Sequence, residues 1–219
     1  MSSPINTKKA IVDVGQLLYH NGMLAGTDGN ISVRLDQDRI MVTPSNFAKG
    51  RLSPDDMVVV NSVGKLLEGQ NRPSSELPMH LFVYKKRPDI AACVHSHPPY
   101  ATAFAVAGIS LVDDILPEAE LLLGHIPLTD YAPPGTDAVP KSLEPHIENN
   151  TAFLLRNHGL LTIGGTLEEA FNRHEVVEHH ARIVYLARLL GNVEVIPSED
   201  FRRLEKRRQK FDEIRGRKS

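Results

Sequence analysis

Apolar residues recur at helical spacing through residues 8–21 (KKAIVDVGQLLYHN) and stop at Gly22, which predicts a first helix with a glycine end. The turn GTDGN leads into ISVRL, a short alternating strand, and RIMVTPSN reads as a second strand broken by Pro44. MVVVNSVGKLLEG has a hairpin pattern: an apolar strand, a turn at 62–64 and a short return strand. RPSSELPMHLFVYKKRPD predicts a helix from about 76 to 87, stopped by Pro88. IAACVHSH reads as a buried strand, PPYATAFAVAG as a helix with proline in its first turn, and PEAELLLG as a further helix whose Glu118 and Glu120 are candidates to line a pocket. IPLTDYAPPGT is a loop with strand character, followed by a helix through about Ile147. TAFLLRNHGLLTIGG gives two apolar strand halves around Arg156-Asn157-His158-Gly159. TLEEAFNRHEVVEHHARIVYLARLLG gives a long amphipathic helix with Thr166 as N-cap and Gly191 as stop. Strands and helices alternate, yet several neighbouring strands are joined by hairpins, so the expectation is one α/β domain with a mixed, mostly antiparallel sheet.

Composition narrows the class. A chain of 219 residues with 41% hydrophobic content can bury one sizeable core, and a net charge of -2 gives no general attraction to nucleic acid or membrane. The single cysteine, Cys93, excludes an intrachain disulfide and fits a reducing compartment. No apolar stretch approaches the ~20 residues of a membrane span, and MSSPINTKKA lacks a signal-peptide core, so the expectation is a soluble, cytoplasmic protein. Charge is unevenly spread: the last 19 residues hold nine Lys/Arg against three Asp/Glu. The chain therefore divides into a domain over 5–192 and a basic, helical tail over 193–219. Only Phe201 and Phe211 are interleaved there, with no aromatic-rich run for stacking on bases, so a solvated helix or subunit contact is expected rather than nucleic-acid binding.

Candidate chemistry centres on CVHSHPPY. His95 and His97 are two apart, and on a strand that spacing points both imidazoles to one face, as two ligands of one metal require. A catalytic zinc takes about three protein ligands. His158 is the best third, because it interrupts an apolar strand pair and Gly159 permits close approach. The same pair also fits two strand histidines bonded to backbone. Three turns add weight: Gly29-Asn30 in GTDGN, Ser45-Asn46 in TPSN and Ser74-Ser75 in PSSE offer backbone N–H groups and small hydroxyls for an anion. Glu76 follows at once, placed either as a general base and displaceable metal ligand or as a first-turn glutamate favoured by the helix dipole. HEVVEHH is not a zinc helix: His174 and His179 are five apart and diverge by about 140°. His174, His179, His180, His80, His20, His125 and His146 are expected at the surface or an interface, and Cys93 in the core.

Gly29-Asn30, TPSN, PSSE, HSHPPYATA and the NHG of 157–159 occur in an order and at spacings that closely resemble the class II aldolase family, from about Lys8 to Gly191. The resemblance implies a three-layer α/β/α fold and a homotetramer with sites at subunit interfaces. It implies that His95, His97 and His158 bind Zn2+, with Mn2+ or Co2+ as other possible metals, and that Glu76 is the catalytic acid/base that also reaches the metal. Gly29, Asn30, Ser45, Asn46, Ser74 and Ser75 match its positions for a substrate phosphate. The implied reaction is retro-aldol cleavage of a short-chain ketose phosphate, of the L-fuculose 1-phosphate type, to dihydroxyacetone phosphate and an aldehyde through an enediolate. The alternatives within the family are a sugar-phosphate 4-epimerase and a decarboxylase of a phosphorylated 3-oxo sugar acid. Epimerases of the family carry lysine where Thr43 stands and aspartate where Glu76 stands; its decarboxylases tend to carry lysine where Ser75 stands. The non-catalytic adducin branch lacks the metal histidines, which are all present here. Fuculose-type members contribute a phenol near DDILPEAE and a C-terminal tyrosine; neither has a counterpart, since no tyrosine lies beyond Tyr185.

Overall fold

The structure, a computed structural model, describes residues 4–111 and 114–214. Strands β1 (Asn30–Arg34), β2 (Ile40–Val42), β3 (Val58–Val60), β4 (Leu66–Glu68), β5 (Ala92–Ser96), β6 (Ala152–Leu155) and β7 (Gly159–Gly164) form one sheet in the order β4-β3-β2-β1-β5-β7-β6. All its ladders are antiparallel. The sheet is therefore less mixed than the sequence suggests: the parallel pairing among the described residues is an isolated bridge, Leu128–Leu154. Short connections β1–β2, β3–β4 and β6–β7 force antiparallel neighbours, and β5 enters between β1 and β7 in the same sense.

Period-two alternation distributes the strands' apolar residues between two cores. On one face Val42, Val60, Cys93, Phe153 and Ile163 pack with α2 (Leu77–Lys86) and α5 (Ala138–Leu143). On the other, Ile31, Met41, Ala92 and Val94 pack with α1 (Pro4–His20) and the start of α6 (Leu167–Leu190). Leu154 and Leu160 continue that face against α3 (Pro99–Ala107), α4 (Pro117–Leu123) and the middle of α6. Each buried aliphatic side chain contributes about 1.5–3 kcal/mol, so the result is a three-layer α/β/α sandwich with the sheet as its rigid centre.

One helix end and one side chain differ from the sequence reading. Helix α5 ends at Leu143 rather than near Ile147, because Pro145 has no backbone N–H with which to continue the helical ladder, although Glu144 itself keeps helical backbone (φ -53°, ψ -41°). Glu120, a candidate to line a pocket, is buried beneath α7 (Ser198–Ile214), where Arg208 Nε donates to its Oε1 at 2.8 Å. No helix among the described residues is long and apolar enough to cross a membrane.

Candidate active site

The end of β5, the start of β1, the β6–β7 turn and the N-terminus of α2 meet at one place. His95 sits opposite Asn30 of β1 and Leu161 of β7. His97 follows just past the strand end. In the β6–β7 turn Asn157 takes a left-handed conformation (φ 55°), which carries His158 towards β5. Gly159 makes the approach possible: a Cβ there would lie 2.6 Å from both His97 Cδ2 and the Ser96 carbonyl oxygen. The three rings consequently stand 4.7 to 5.2 Å apart between centroids, with one nitrogen from each within 4.8 Å of the others.

The hydrogen bonds behind the rings decide what faces the centre. His95 Nδ1 donates to the Leu160 carbonyl at 2.8 Å, which turns Nε2 inwards, towards the other two rings. His97 Nδ1 lies 3.3 Å from Asp28 Oδ2. The Nε2 atoms of His95 and His97 are buried and have no hydrogen-bond partner among the described residues. Convergent, unpartnered imidazole nitrogens are costly unless a cation takes their lone pairs, so the residues fit a divalent metal. Three nitrogens with an adjacent carboxylate suit zinc and its first-row neighbours.

That carboxylate is Glu76, the N-cap residue of α2. Its Oε2 lies 3.2 Å from His95 Nε2 and accepts from Asn30 Nδ2 at 2.8 Å. Its Oε1 lies 3.1 Å from His158 Nε2 and, like Asn30 Oδ1, is buried without a hydrogen-bond partner. Burial pushes the Glu76 carboxyl up, but the charge of His95 and the contacts of both rings outweigh it and hold it well below the usual carboxylate range. Its carboxylate points at the imidazoles.

The glycine and hydroxyl turns are tied into the same corner. Gly29 (φ 72°) packs so tightly on β5 that a Cβ would lie 2.7 Å from the His95 carbonyl oxygen. Thr43 N donates to the Ile31 carbonyl at 3.0 Å, and Thr43 Oγ1 accepts from Ile31 N at 3.1 Å, which sets TPSN beside the start of β1. Ser45 N donates to the Arg72 carbonyl at 2.9 Å, and Pro44 bridges Pro73, so TPSN and PSSE are also neighbours. Within this group Asn46 and Ser75 are exposed and Ser45 is half-buried, whereas Ser74 is buried with its Oγ accepting from Glu76 N at 3.2 Å. Asn30 differs from the sequence reading in one respect: its amide donor is committed to Glu76.

Several polar residues escaped the sequence reading. Lys49 is 3% exposed, and its ammonium donates to the Thr27 carbonyl at 2.6 Å. Burial pulls it down to about 8, against the opposing charges of Asp28 and Glu76. The expected surface placement of His80, His174 and His180 is overturned, for all three are buried. His174 Nε2 bonds Ser96 Oγ at 2.7 Å and its Nδ1 bonds Thr162 Oγ1 at 3.0 Å, so it grips from behind the residue between the two strand histidines. His80 Nδ1 bonds Ser32 Oγ at 2.6 Å. His20, His125 and His179 are exposed and His146 is half-buried. Cys93 is a core residue, its thiol pushed up to about 12 by burial.

Residues 9–185 match the family described as the Class II Aldolase and Adducin N-terminal domain. An L-fuculose phosphate aldolase of Methanococcus vannielii is 35% identical over 81% of this chain and 95% of its own length. A 3-oxo-tetronate 4-phosphate decarboxylase of Haemophilus influenzae is 34% identical over 81% of this chain and 86% of its own. Among solved structures, an L-fuculose 1-phosphate aldolase superposes with a TM-score of 0.84 at 32% identity, covering 97% of this chain and 98% of that one.

Proposed function

This chain belongs to the class II aldolase and adducin family, and from that premise we propose that it is an aldolase cleaving a short-chain ketose 1-phosphate to dihydroxyacetone phosphate and an aldehyde. It is a metal-dependent lyase, as its aldolase and decarboxylase relatives are. The observation that supports the finer reading is the meeting of three imidazoles with one carboxylate, Glu76, whose buried Oε1 makes no hydrogen bond.

His95, His97 and His158 would hold the metal, which we take to be Zn2+, with Mn2+ or Co2+ able to replace it. When bound, such an ion polarises a substrate carbonyl as a Lewis acid, worth on the order of several kcal/mol in the transition state. In the cleavage the C4 hydroxyl gives up its proton, the C3–C4 electron pair moves towards the C2 carbonyl, and C3 takes up a proton. Glu76 Oε1 is the atom placed to hold and return a proton, because the Asn30 amide occupies Oε2. As a carboxylate it would begin the cycle as a base. The donors at Gly29-Asn30, Ser45-Asn46 and Ser74-Ser75 would take the phosphate and turn that binding energy into orientation at the reacting carbons. We also read the working form as a homotetramer with sites between subunits, a reading supported by the exposed Leu186, Leu189 and Leu190 at the end of α6. Sedimentation of the metal-loaded protein checks it, and a monomer at micromolar concentration would refute it.

The deciding experiment incubates the protein, loaded with zinc, with L-fuculose 1-phosphate and 5-deoxy-D-ribulose 1-phosphate. Release of dihydroxyacetone phosphate that a chelator abolishes and zinc restores is the expected result. A second reading, favoured by the 34% identity to the Haemophilus decarboxylase, is carbon dioxide release from 3-oxo-tetronate 4-phosphate. Carbon dioxide release without ketose cleavage would replace the first reading with the second. Interconversion of pentulose 5-phosphates alone would point to epimerisation.

A further inference from the structure

The face of α2 that carries Glu76 also carries His80 and Tyr84, at four-residue steps. Strand β1, across from it, presents Asn30, Ser32 and Arg34 at two-residue steps. Four residues of helix rise about 6.0 Å and two of strand about 6.6 Å, so the rows stay in step over three rungs. The rungs are all made. Asn30 Nδ2 donates to Glu76 Oε2 at 2.8 Å; Ser32 Oγ bonds His80 Nδ1 at 2.6 Å and Tyr84 OH at 2.7 Å; Arg34 Nη2 donates to the Tyr84 carbonyl at 2.5 Å.

The middle rung is the informative one. Ser32 and His80 are 0% exposed, inside a face otherwise filled by Val42, Val60, Cys93 and Val83. An apolar pair would pack there without the cost of desolvating a hydroxyl and an imidazole. What an apolar contact does not supply is register: smooth side chains let a helix slide or roll on a sheet, while a slip of one residue here breaks every rung. It would also rotate Glu76 by about 100° away from the imidazoles.

We propose that Ser32, His80 and Tyr84 are positioning residues, a buried polar ladder that sets the register of α2 and so holds the Glu76 carboxylate against the histidine triad. The inference rests on the proposed role of Glu76, but its structural content is separate: the ladder fixes where that carboxylate lies. Specifying one arrangement rather than adding stability is the role expected of a polar network this deeply buried, and the network carries a cost, since His80 Nε2 and Arg34 Nε are buried without a hydrogen-bond partner among the described residues.

The test is a set of variants on the zinc-loaded protein. His80→Leu removes the rung, whereas His80→Asn keeps a polar atom near the position of Nδ1. In crystals of His80→Leu the separations from Glu76 to His95 and His158, now 3.2 and 3.1 Å, should lengthen by about 1 Å while the three rings stay together. His80→Leu should lower kcat by about 10- to 100-fold with KM and zinc content little changed, and His80→Asn should recover most of it. Combined with Glu76→Gln, His80→Leu should cost less than about twofold more, because the coupling runs through that carboxylate. An unmoved Glu76 in the crystal, or an equal loss of kcat in both backgrounds, overturns the proposal. If His80→Leu does not fold, Ser32→Ala and Tyr84→Phe each delete one oxygen of the same rung and carry the same expectations. The crystallographic readout holds even if the substrate assignment fails, so the two failures are distinguishable.

Discussion

At the scale of single residues, the site depends on positions that contribute no chemistry. Gly159 is the clearest: its missing side chain is the space through which His158 reaches β5. Gly159→Ala must push either the His97 ring or the Ser96 backbone, and the latter is held in a central strand. The expected outcome is a metal affinity lower by about 10- to 100-fold, read by competition with a chelator, in a chain that still folds. Lys49 offers a prediction of the opposite kind, about charge. Its pKa is depressed to about 8 in the folded chain from an ordinary 10.5, so between those values the unfolded chain binds the proton that the folded one has released. Stability should therefore rise as pH increases from 8 towards 10.5, and Lys49→Met should remove that part of the rise in urea midpoints. The imidazoles at 95, 97 and 158 were legible in the sequence because strand periodicity alone puts 95 and 97 on one face. Lys49 was not, because nothing local marks a loop lysine for burial; its partner carbonyl is 22 residues away.

Elements show the same division between local and distant causes. Every strand and helix expected from periodicity is present, since alternation and caps are written in neighbouring residues: Thr166 caps α6 by accepting from Glu169 N, and Gly108 ends α3 in a left-handed conformation. What periodicity could not report is which polar residue of a helix faces inwards. His174 reads as a surface residue of an amphipathic helix, yet α6 lies on the sheet so that it meets Ser96, 78 residues earlier. Burial pulls the His174 ring down to about 3, with the charge of His95 adding to the effect. Below its ordinary 6.5 the unfolded chain takes up a proton that the folded chain refuses until about pH 3. Stability should fall as pH drops through that window, and His174→Asn should flatten the fall. An unchanged acid limb in denaturant melts of the variant would show that His174 is not the group responsible.

Over the whole molecule, the proposed metal would join parts that the chain order separates: the end of β5, the turn between β6 and β7, and α2 through Glu76. A ligand held only by the folded chain stabilises it by mass action, about 4 kcal/mol when present at a thousandfold excess over its dissociation constant. Chelation should accordingly lower the Tm of the entire domain by several degrees, and His158→Ala should abolish the difference between metal-loaded and metal-free melts. The C-terminal helix tests whether that coupling is general or belongs to the site. Helix α7 docks on α4 through Arg208 and the buried Glu120, and the guanidinium packs where a Cβ on Gly124 would come within 2.8 Å. Arg208 is about a quarter exposed, so its loss is screened: Arg208→Ala should cost about 1–2 kcal/mol, or about 2–8 °C in Tm for a chain of this size. Because α4 supplies none of the candidate ligands, the same variant should leave metal affinity unchanged. A loss of metal on unpinning α7 would mean that the basic tail is wired to the imidazoles through α4, and that the sheet is less rigid a frame than its central strands imply.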